Sequence, residues 1–249
     1  MNAAEEKAVA LAPERILSLL SDGEIKVEGL IPWSSNATLL VTVRDQELAT
    51  LAVYKPQSGE RPLWDFPYGT LGAREVAAYL VCEALNWGFI PPTVWRHGPH
   101  GLGSVQLFVD AREDAHFFTI QENPAYHDVL QRLAAFDVIA NNADRKSGHC
   151  LLDREGRLWA IDNALTFHEE PKLRTVIWDF SGRLLPEEIT AALQALRATL
   201  TKDSPLCQAL NRLLSSREVA AFRRRLRRLI DAGHFPEPGP GRAVPWPLV

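Results

Sequence analysis

The chain has 249 residues, of which 46% are hydrophobic and 23% are charged, and this composition excludes long disordered regions. Its formal net charge of −4 excludes the excess of Lys and Arg on which general nucleic-acid binding depends, so no nucleic-acid partner is expected. The three cysteines are widely spaced, and no segment has the pattern of a signal peptide or a membrane span, which together favour a cytoplasmic protein.

The first half of the sequence has the pattern of a small antiparallel sheet. Five short extended segments, bounded by turn residues, are predicted as strands over 24–30, 37–44, 48–55, 93–96 and 103–110. Apolar spacing predicts a short helix over 13–20 and a longer one over 74–87, with Thr70 as its cap. We therefore expect an N-terminal lobe over about 13–110, made of an antiparallel sheet with one long helix.

The second half is predicted to be mostly helical. After a polar connector over 111–123, a helix over 126–141 leads into a polar loop and a hairpin with strands over 150–152 and 157–161. Further helices are predicted over 187–200, 206–214 and 217–232. The expected fold is α+β and bilobal within one domain, with a C-lobe over about 124–234 and an irregular tail over 235–249. This order of elements is that of a kinase.

The strongest chemical signal is the polar loop after the first long helix of the second half. A kinase catalytic loop has a base Asp, a metal ligand five residues later and a second metal-binding Asp beyond a short hairpin. Asp144, His149 and Asp162 occupy these three positions. Phosphoryl transfer is catalysed mainly by positioning and charge neutralisation, which such residues supply. Taken singly, Asp144 and Asp162 also suit ordinary turns.

Two further patterns match a nucleotide site. Lys55 ends the third predicted strand and Glu75 lies 20 residues later in the next helix, as in the kinase pair that holds the α- and β-phosphates. The turn between the first two strands contains Ser34, Ser35 and Asn36, whose hydroxyl and backbone N–H groups are suited to binding phosphate oxygens. This turn lacks the usual glycine-rich pattern.

Together these motifs resemble the phosphatidylinositol 3-/4-kinase-like superfamily. The likeness rests on Asp144-Arg145, Ile161-Asp162-Asn163, Tyr54-Lys55-Pro56 and the serine-rich turn. More closely, the chain resembles an uncharacterised actinobacterial kinase-like family over about residues 24–200.

The resemblance implies binding of ATP with Mg²⁺ or Mn²⁺, with Asp162 on the metal and Asp144 near the acceptor hydroxyl. It also implies that the backbone from Gln106 through Val109 contacts adenine. The sequence departs from the kinase pattern at His149, where Asn is usual, and after Asp162, where Asn-Ala replaces Phe-Gly. No lipid-recognition segment is visible, so the lipid part of the superfamily name transfers poorly. The leading hypothesis is an enzyme that moves the γ-phosphoryl group of ATP to a hydroxyl group on a protein, a small molecule or a lipid head group.

Two other functions remain open from the sequence. A pseudokinase would bind nucleotide with little turnover, and the same scaffold also suits nucleotidyl transfer. The joint presence of Lys55, Glu75, Asp144 and Asp162 favours catalysis, because a decayed site usually loses at least one such residue. Separately, the basic run from Arg223 to Arg228 on the last helix is either a solvated face or a contact for an anionic partner or a membrane surface.

Overall fold

The computed structural model describes residues 12–32 and 36–248. In the first half of the chain, five strands form one antiparallel sheet. Its strands are β1 (Glu24–Leu30), β2 (Leu39–Arg44), β3 (Ala49–Pro56), β4 (Thr93–Gly98) and β5 (Gly101–Leu107). The spatial order is β1-β2-β3-β5-β4, with every neighbouring pair antiparallel. β3 is therefore central, and the cleft described below lies along its end.

Two helices accompany the sheet. α1 (Pro13–Asp22) buries Leu19 and Leu20 against it, whereas α2 (Leu71–Ala84) is buried along most of its length. Thr70 precedes α2 as expected, but its hydroxyl donates to the Pro67 carbonyl oxygen (2.7 Å) instead of capping the helix. α2 ends earlier than the sequence predicted, because Asn86 and Gly88 adopt left-handed backbone conformations that stop a helix.

The second half is mostly helical, as the sequence predicted. Its elements are α3 (Phe117–Ile120), α4 (His127–Ala140), the hairpin strands β6 (Cys150–Leu152) and β7 (Leu158–Ala160), α5 (Glu187–Thr199), α6 (Pro205–Leu213) and α7 (Ser216–Ala232). The expected α+β class is confirmed. α3 was not predicted, since a four-residue helix is too short to show a helical period. Residues 235–248 contain no helix or strand.

The main core joins α2 to the helical half. Side chains of α2, including Val81 and Cys82, share one apolar cluster with Leu133 and Phe136 of α4 and Phe222 of α7. Burial of such side chains stabilises the fold by roughly 1.5–3 kcal/mol each. The sheet has a separate, smaller cluster with α1. α2 is thus fixed to the helical half while its first turn faces the sheet.

The three cysteines are buried free thiols. Within residues 12–32 and 36–248, no helix has the length and hydropathy needed to cross a membrane.

Candidate active site

A cleft of about 580 Å³ lies between the sheet and the helical half. Seven of the residues predicted for the site line it: Asn36, Lys55, Glu75, Gln106, Phe108, His149 and Asp162. Ser34 and Ser35 lie outside the described residues. Asp144 is not in the cleft wall, but its carboxylate lies 3.5 Å from Nζ of Lys146, which lines the cleft.

Lys55 lies between two carboxyl groups that are far apart in sequence. Strand alternation buries Tyr54 in the sheet core and turns Lys55 to the opposite face. Its Nζ donates to Glu75 Oε1 at 2.5 Å and to Asp162 Oδ1 at 3.0 Å. Residues from β3, α2 and the segment after β7 therefore meet at one ammonium group.

Electrostatics keep this group charged. Burial opposes the charge of Lys55, but Asp162 and Glu75 hold its pKa above the usual range. The ammonium group of Lys55 in turn holds the pKa of Asp162 well below its usual range, whereas burial raises the pKa of Glu75. At neutral pH the cleft therefore contains an ammonium group and an ionised, partly exposed Asp162 carboxylate.

The backbone conformation of Asp162 orients its carboxylate. It follows β7 with a φ of 55°, a left-handed conformation that Asp tolerates better than most residues. This turn presents its carboxylate to Lys55 on one oxygen and to His149 on the other, with Oδ2 3.4 Å from His149 Nε2.

His149 is neutral and already hydrogen-bonded. Burial lowers its pKa to about 4. Its Nδ1 accepts from the Lys146 backbone N–H at 3.3 Å, so in the neutral ring the proton sits on Nε2, which faces Asp162. This geometry favours His149 as a donor that orients Asp162, one of the two roles that an imidazole can have at this position.

The loop that carries Asp144 is shaped by two asparagines. Asn141 ends α4 in the left-handed conformation, at a φ of 56°. Oδ1 of Asn142 accepts the Asp144 backbone N–H at 3.0 Å, an Asx turn. Burial, with a further contribution from the charge of Asp162, raises the pKa of Asp144. A carboxylate with a raised pKa is a better proton acceptor than an ordinary Asp.

A buried ion pair ties the Asp144 loop to the Asp162 turn, and sequence reasoning did not assign it. Arg145 and Asp137 are both fully buried and lie 3.0 Å apart. Arg145 also donates to the Ile161 carbonyl oxygen (2.9 Å) and to Asn163 Oδ1 (2.6 Å), the residues on either side of Asp162. The guanidinium group thus fixes both loops to α4.

A second buried pair holds α2. Arg74, next to Glu75, donates to Glu218 Oε1 of α7 and to the Thr166 carbonyl oxygen (2.6 Å). Glu218 also accepts the Ser215 backbone N–H at 2.8 Å and so caps α7. Because Arg74 is buried and contacts both α7 and the segment after Asp162, it holds the start of α2, and with it Glu75, against the helical half.

The remaining cleft residues have specific partners. Asn36 Oδ1 accepts the Arg61 backbone N–H at 2.8 Å, and Gln106 Nε2 donates to Thr93 Oγ1 at 2.8 Å. The Phe108 backbone N–H donates to the Leu51 carbonyl oxygen at 3.0 Å. Glu60, which the sequence reasoning missed, lines the cleft and accepts the Gly72 backbone N–H at 3.1 Å.

The carboxyl groups of the cleft suit a hard divalent cation that takes its remaining ligands from phosphate oxygens and water. Oxygens of Glu60 and Glu75 are buried without a hydrogen-bond partner in the described part of the chain. No cluster of three or more His, Cys, Asp or Glu side chains that could hold a metal is found among the same residues. Such a set suits Mg²⁺ or Mn²⁺, which in phosphoryl-transfer sites take one or two carboxylates and complete their shell with phosphates and water.

Comparison with known proteins finds similarity both in sequence and in structure. No protein-family model matches the chain. Protein Rv2133c of Mycobacterium tuberculosis is 38% identical over 263 aligned residues, which cover 92% of this chain and 94% of that protein.

The structural relatives are distant in sequence. The proinflammatory kinase CtkA of Helicobacter pylori has a TM-score of 0.51 at 10% identity and covers 87% of this chain and 94% of its own. The Golgi casein kinase with Mn/ADP bound has a TM-score of 0.55 at 13% identity, covering 88% and 74%. At these identities the likeness is one of fold, and it confirms the predicted kinase-like architecture.

Proposed function

This chain belongs to the family of the Mycobacterium tuberculosis protein Rv2133c, and we propose that it is an ATP-dependent phosphotransferase that moves the γ-phosphoryl group to a hydroxyl acceptor. The observation that carries the proposal is the position of Lys55, hydrogen-bonded to both Glu75 and Asp162 at the wall of a cleft. Three segments converge there in the way that kinase chemistry requires. The kinase-like fold shared with two solved structures, one of them described with Mn/ADP bound, supports the proposal of ATP-dependent phosphotransfer.

The nucleotide would lie along the cleft with its phosphates at Lys55. Glu75 keeps the Lys55 ammonium group in place, and we assign further phosphate contacts to Asn36, which lines the cleft, and to Ser34 and Ser35 before it. Since the Phe108 amide already donates to Leu51, adenine would be bound by the Phe108 carbonyl oxygen and the following residue, with Gln106 in the wall behind it.

Asp162 would hold the divalent cation, Mg²⁺ or Mn²⁺, which when bound neutralises charge on the phosphates. His149, with its Nε2 proton facing Asp162, would orient that carboxylate. The alternative assignment, with His149 itself as a metal ligand, requires its ring proton to move to Nδ1, where the Lys146 N–H now donates. The hydrogen bond at Nδ1 therefore favours the orienting role.

Asp144 would accept the proton of the acceptor hydroxyl. Its raised pKa suits this role, and Lys146 next to it would contact the transferred group. The hydrogen bonds of Arg145 keep the Asp144 loop and the Asp162 turn in register, so that base and cation site would face the same phosphate.

Several finer assignments belong to the same proposal. We place the chain near the phosphatidylinositol 3-/4-kinase-like superfamily on its motif spacing. We also propose one domain with an N-lobe over about 13–110 and a C-lobe over about 124–234, and a cytoplasmic location. A pseudokinase and a nucleotidyl transferase are the alternatives. The contacts among Lys55, Glu75 and Asp162 favour transfer over mere binding.

Mass spectrometry after incubation with ATP, a divalent cation and candidate acceptors separates these functions. Phosphotransfer gives ADP and an acceptor heavier by one phosphoryl group. Nucleotidyl transfer instead gives pyrophosphate and an acceptor carrying AMP. A panel of hydroxyl compounds and peptides that yields neither product, with ATP still bound, would favour the pseudokinase.

Replacing Asp162 with Ala should remove the dependence of ATP binding on Mg²⁺ or Mn²⁺, because the carboxylate that would hold the cation is gone. Isothermal titration calorimetry with ATP, with and without the cation, measures this. Asp110→Ala, which removes an exposed carboxylate paired with Arg154, is the matched control and should retain the wild-type dependence. A metal dependence unchanged in Asp162→Ala would contradict the assignment of Asp162.

Lys55→Met should weaken ATP binding and Glu75→Gln should weaken it less, because Glu75 acts through Lys55. The double variant should show less than the sum of the two losses, with a coupling of roughly 0.5–3 kcal/mol. The exposed pair Lys26 and Glu28 on β1, 3.1 Å apart, provides a control in which ATP binding does not change. Additive losses would show that Lys55 and Glu75 act on the nucleotide independently.

A further inference from the structure

Helix α7 carries six arginines, and two of them donate hydrogen bonds to carbonyl groups at the C-terminal ends of other helices. Arg223 Nη2 donates to the Leu200 carbonyl oxygen (2.6 Å) just beyond the end of α5, and Arg225 Nε donates to the Ile139 carbonyl oxygen (2.9 Å) in the last turn of α4. Cations at helix C-termini are favourable because they satisfy unpaired carbonyl groups and oppose the helix dipole. This accounts for part of the basic run, but not for its exposed members.

A second cavity, the α7 groove, lies between α5, α6 and α7 and has a volume of about 470 Å³. Its lining contains five cationic side chains and no Asp or Glu: Arg197, Lys202, Arg223, Arg224 and Arg227. None of the five forms an ion pair with a carboxylate in the described part of the chain. Nε of Arg223 is also buried without a hydrogen-bond partner there.

This concentration of charge is local. The chain as a whole carries a net charge of −4, so the basic groove does not reflect a basic protein. Like charges in one groove repel each other, and they are stabilised by an anion that contacts several at once. Guanidinium groups bind phosphate oxygens in a two-pronged geometry, which makes phosphate the anion that suits arginines best.

The volume of the groove and the burial of the apolar side of α7 restrict the class of ligand that can bind there. Phe222, Leu226 and Leu229 on the apolar side of α7 are buried, so the helix has no face left to insert into a bilayer. The groove volume lies in the range of small-molecule sites. Arg224 and Arg227 are exposed and free to close on a ligand.

We propose that the α7 groove binds a compact anion bearing several phosphate groups. None of its lining residues belongs to the ATP cleft, so this is a second phosphate site that does not depend on the proposed catalytic activity. Arg223 forms the fixed inner contact, held by Leu200, and Arg224 and Arg227 form the outer contacts.

The test is calorimetric titration of the full chain with inorganic tripolyphosphate, without nucleotide, at physiological ionic strength. Arg224→Ala combined with Arg227→Ala should weaken binding about tenfold or more, as expected for the loss of charge-assisted hydrogen bonds. Arg217→Ala combined with Arg228→Ala changes the charge of the same helix equally but outside the groove, and should leave the affinity within about twofold. All four side chains are exposed, so both variants should fold.

Two further measurements show where tripolyphosphate binds and which class of ligand the groove takes. Lys55→Met, which removes the phosphate-binding group of the ATP cleft, should retain tripolyphosphate binding. Equal weakening in both double variants, or loss of binding in Lys55→Met, would overturn the proposal, because the anion would then bind by diffuse surface charge or in the cleft. Binding to vesicles of anionic lipid without binding to tripolyphosphate would also overturn it in favour of a membrane surface.

Discussion

Replacing Asp144 with Asn is expected to lower turnover by about 10²–10⁴-fold while ATP affinity stays within a few-fold of the wild type. Asn has the size of Asp but cannot accept the acceptor proton. The separation of the two effects follows from the structure, since Asp144 lies outside the wall of the cleft and contacts Lys146 rather than Lys55. Its backbone N–H bond to Asn142 does not involve the carboxylate and should persist.

Single-turnover transfer and calorimetric ATP binding, measured on the same preparation, check this expectation. Asp128→Asn makes the same chemical change at an exposed position in the first turn of α4 and should leave both quantities unchanged. If ATP affinity fell in parallel with turnover in Asp144→Asn, the residue would be structural. If turnover were unaffected, another group would have to accept the proton.

Breaking the buried pair between Arg145 and Asp137 is expected to cost roughly 3–5 kcal/mol of folding free energy. Arg145→Met leaves the Asp137 carboxylate buried without its cation, since both side chains are fully inaccessible. The change also removes the bonds to Ile161 and Asn163, so the Asp162 turn loses the side-chain link through Arg145 to the Asp144 loop. Loss of activity should therefore exceed what the unfolded fraction explains.

Chemical denaturation measures the loss of stability, and activity per folded molecule measures the loss of alignment. Arg145→Met combined with Asp137→Leu should recover part of the stability, because an apolar pair replaces an uncompensated charge, but should not restore activity. Arg154→Met, which breaks an exposed pair with Asp110, is the control and should leave stability within error. A double variant as active as the wild type would show that Arg145 does not align the loops.

The local features of this protein could be predicted from sequence because they depend on neighbouring residues. Alternation in β3 places Lys55 opposite Tyr54, and the asparagines after α4 favour the turn that leads to Asp144. Element order then implied the kinase-like fold, which the structural relatives confirm. Boundaries were less accurate where a left-handed residue such as Asn86 ended a helix before its apolar pattern did.

The partners of the buried charges were decided by the tertiary structure alone. Arg74 and Glu218 are 144 residues apart, and nothing in the local pattern of either indicates that they meet. In the sequence Arg145 is only a neighbour of Asp144. Packing is what brings its guanidinium group into contact with Asp137 and with the residues before and after Asp162. A buried charge has to be paired, but the sequence does not say with which group, because the partner is fixed by how α2, α4 and α7 pack together.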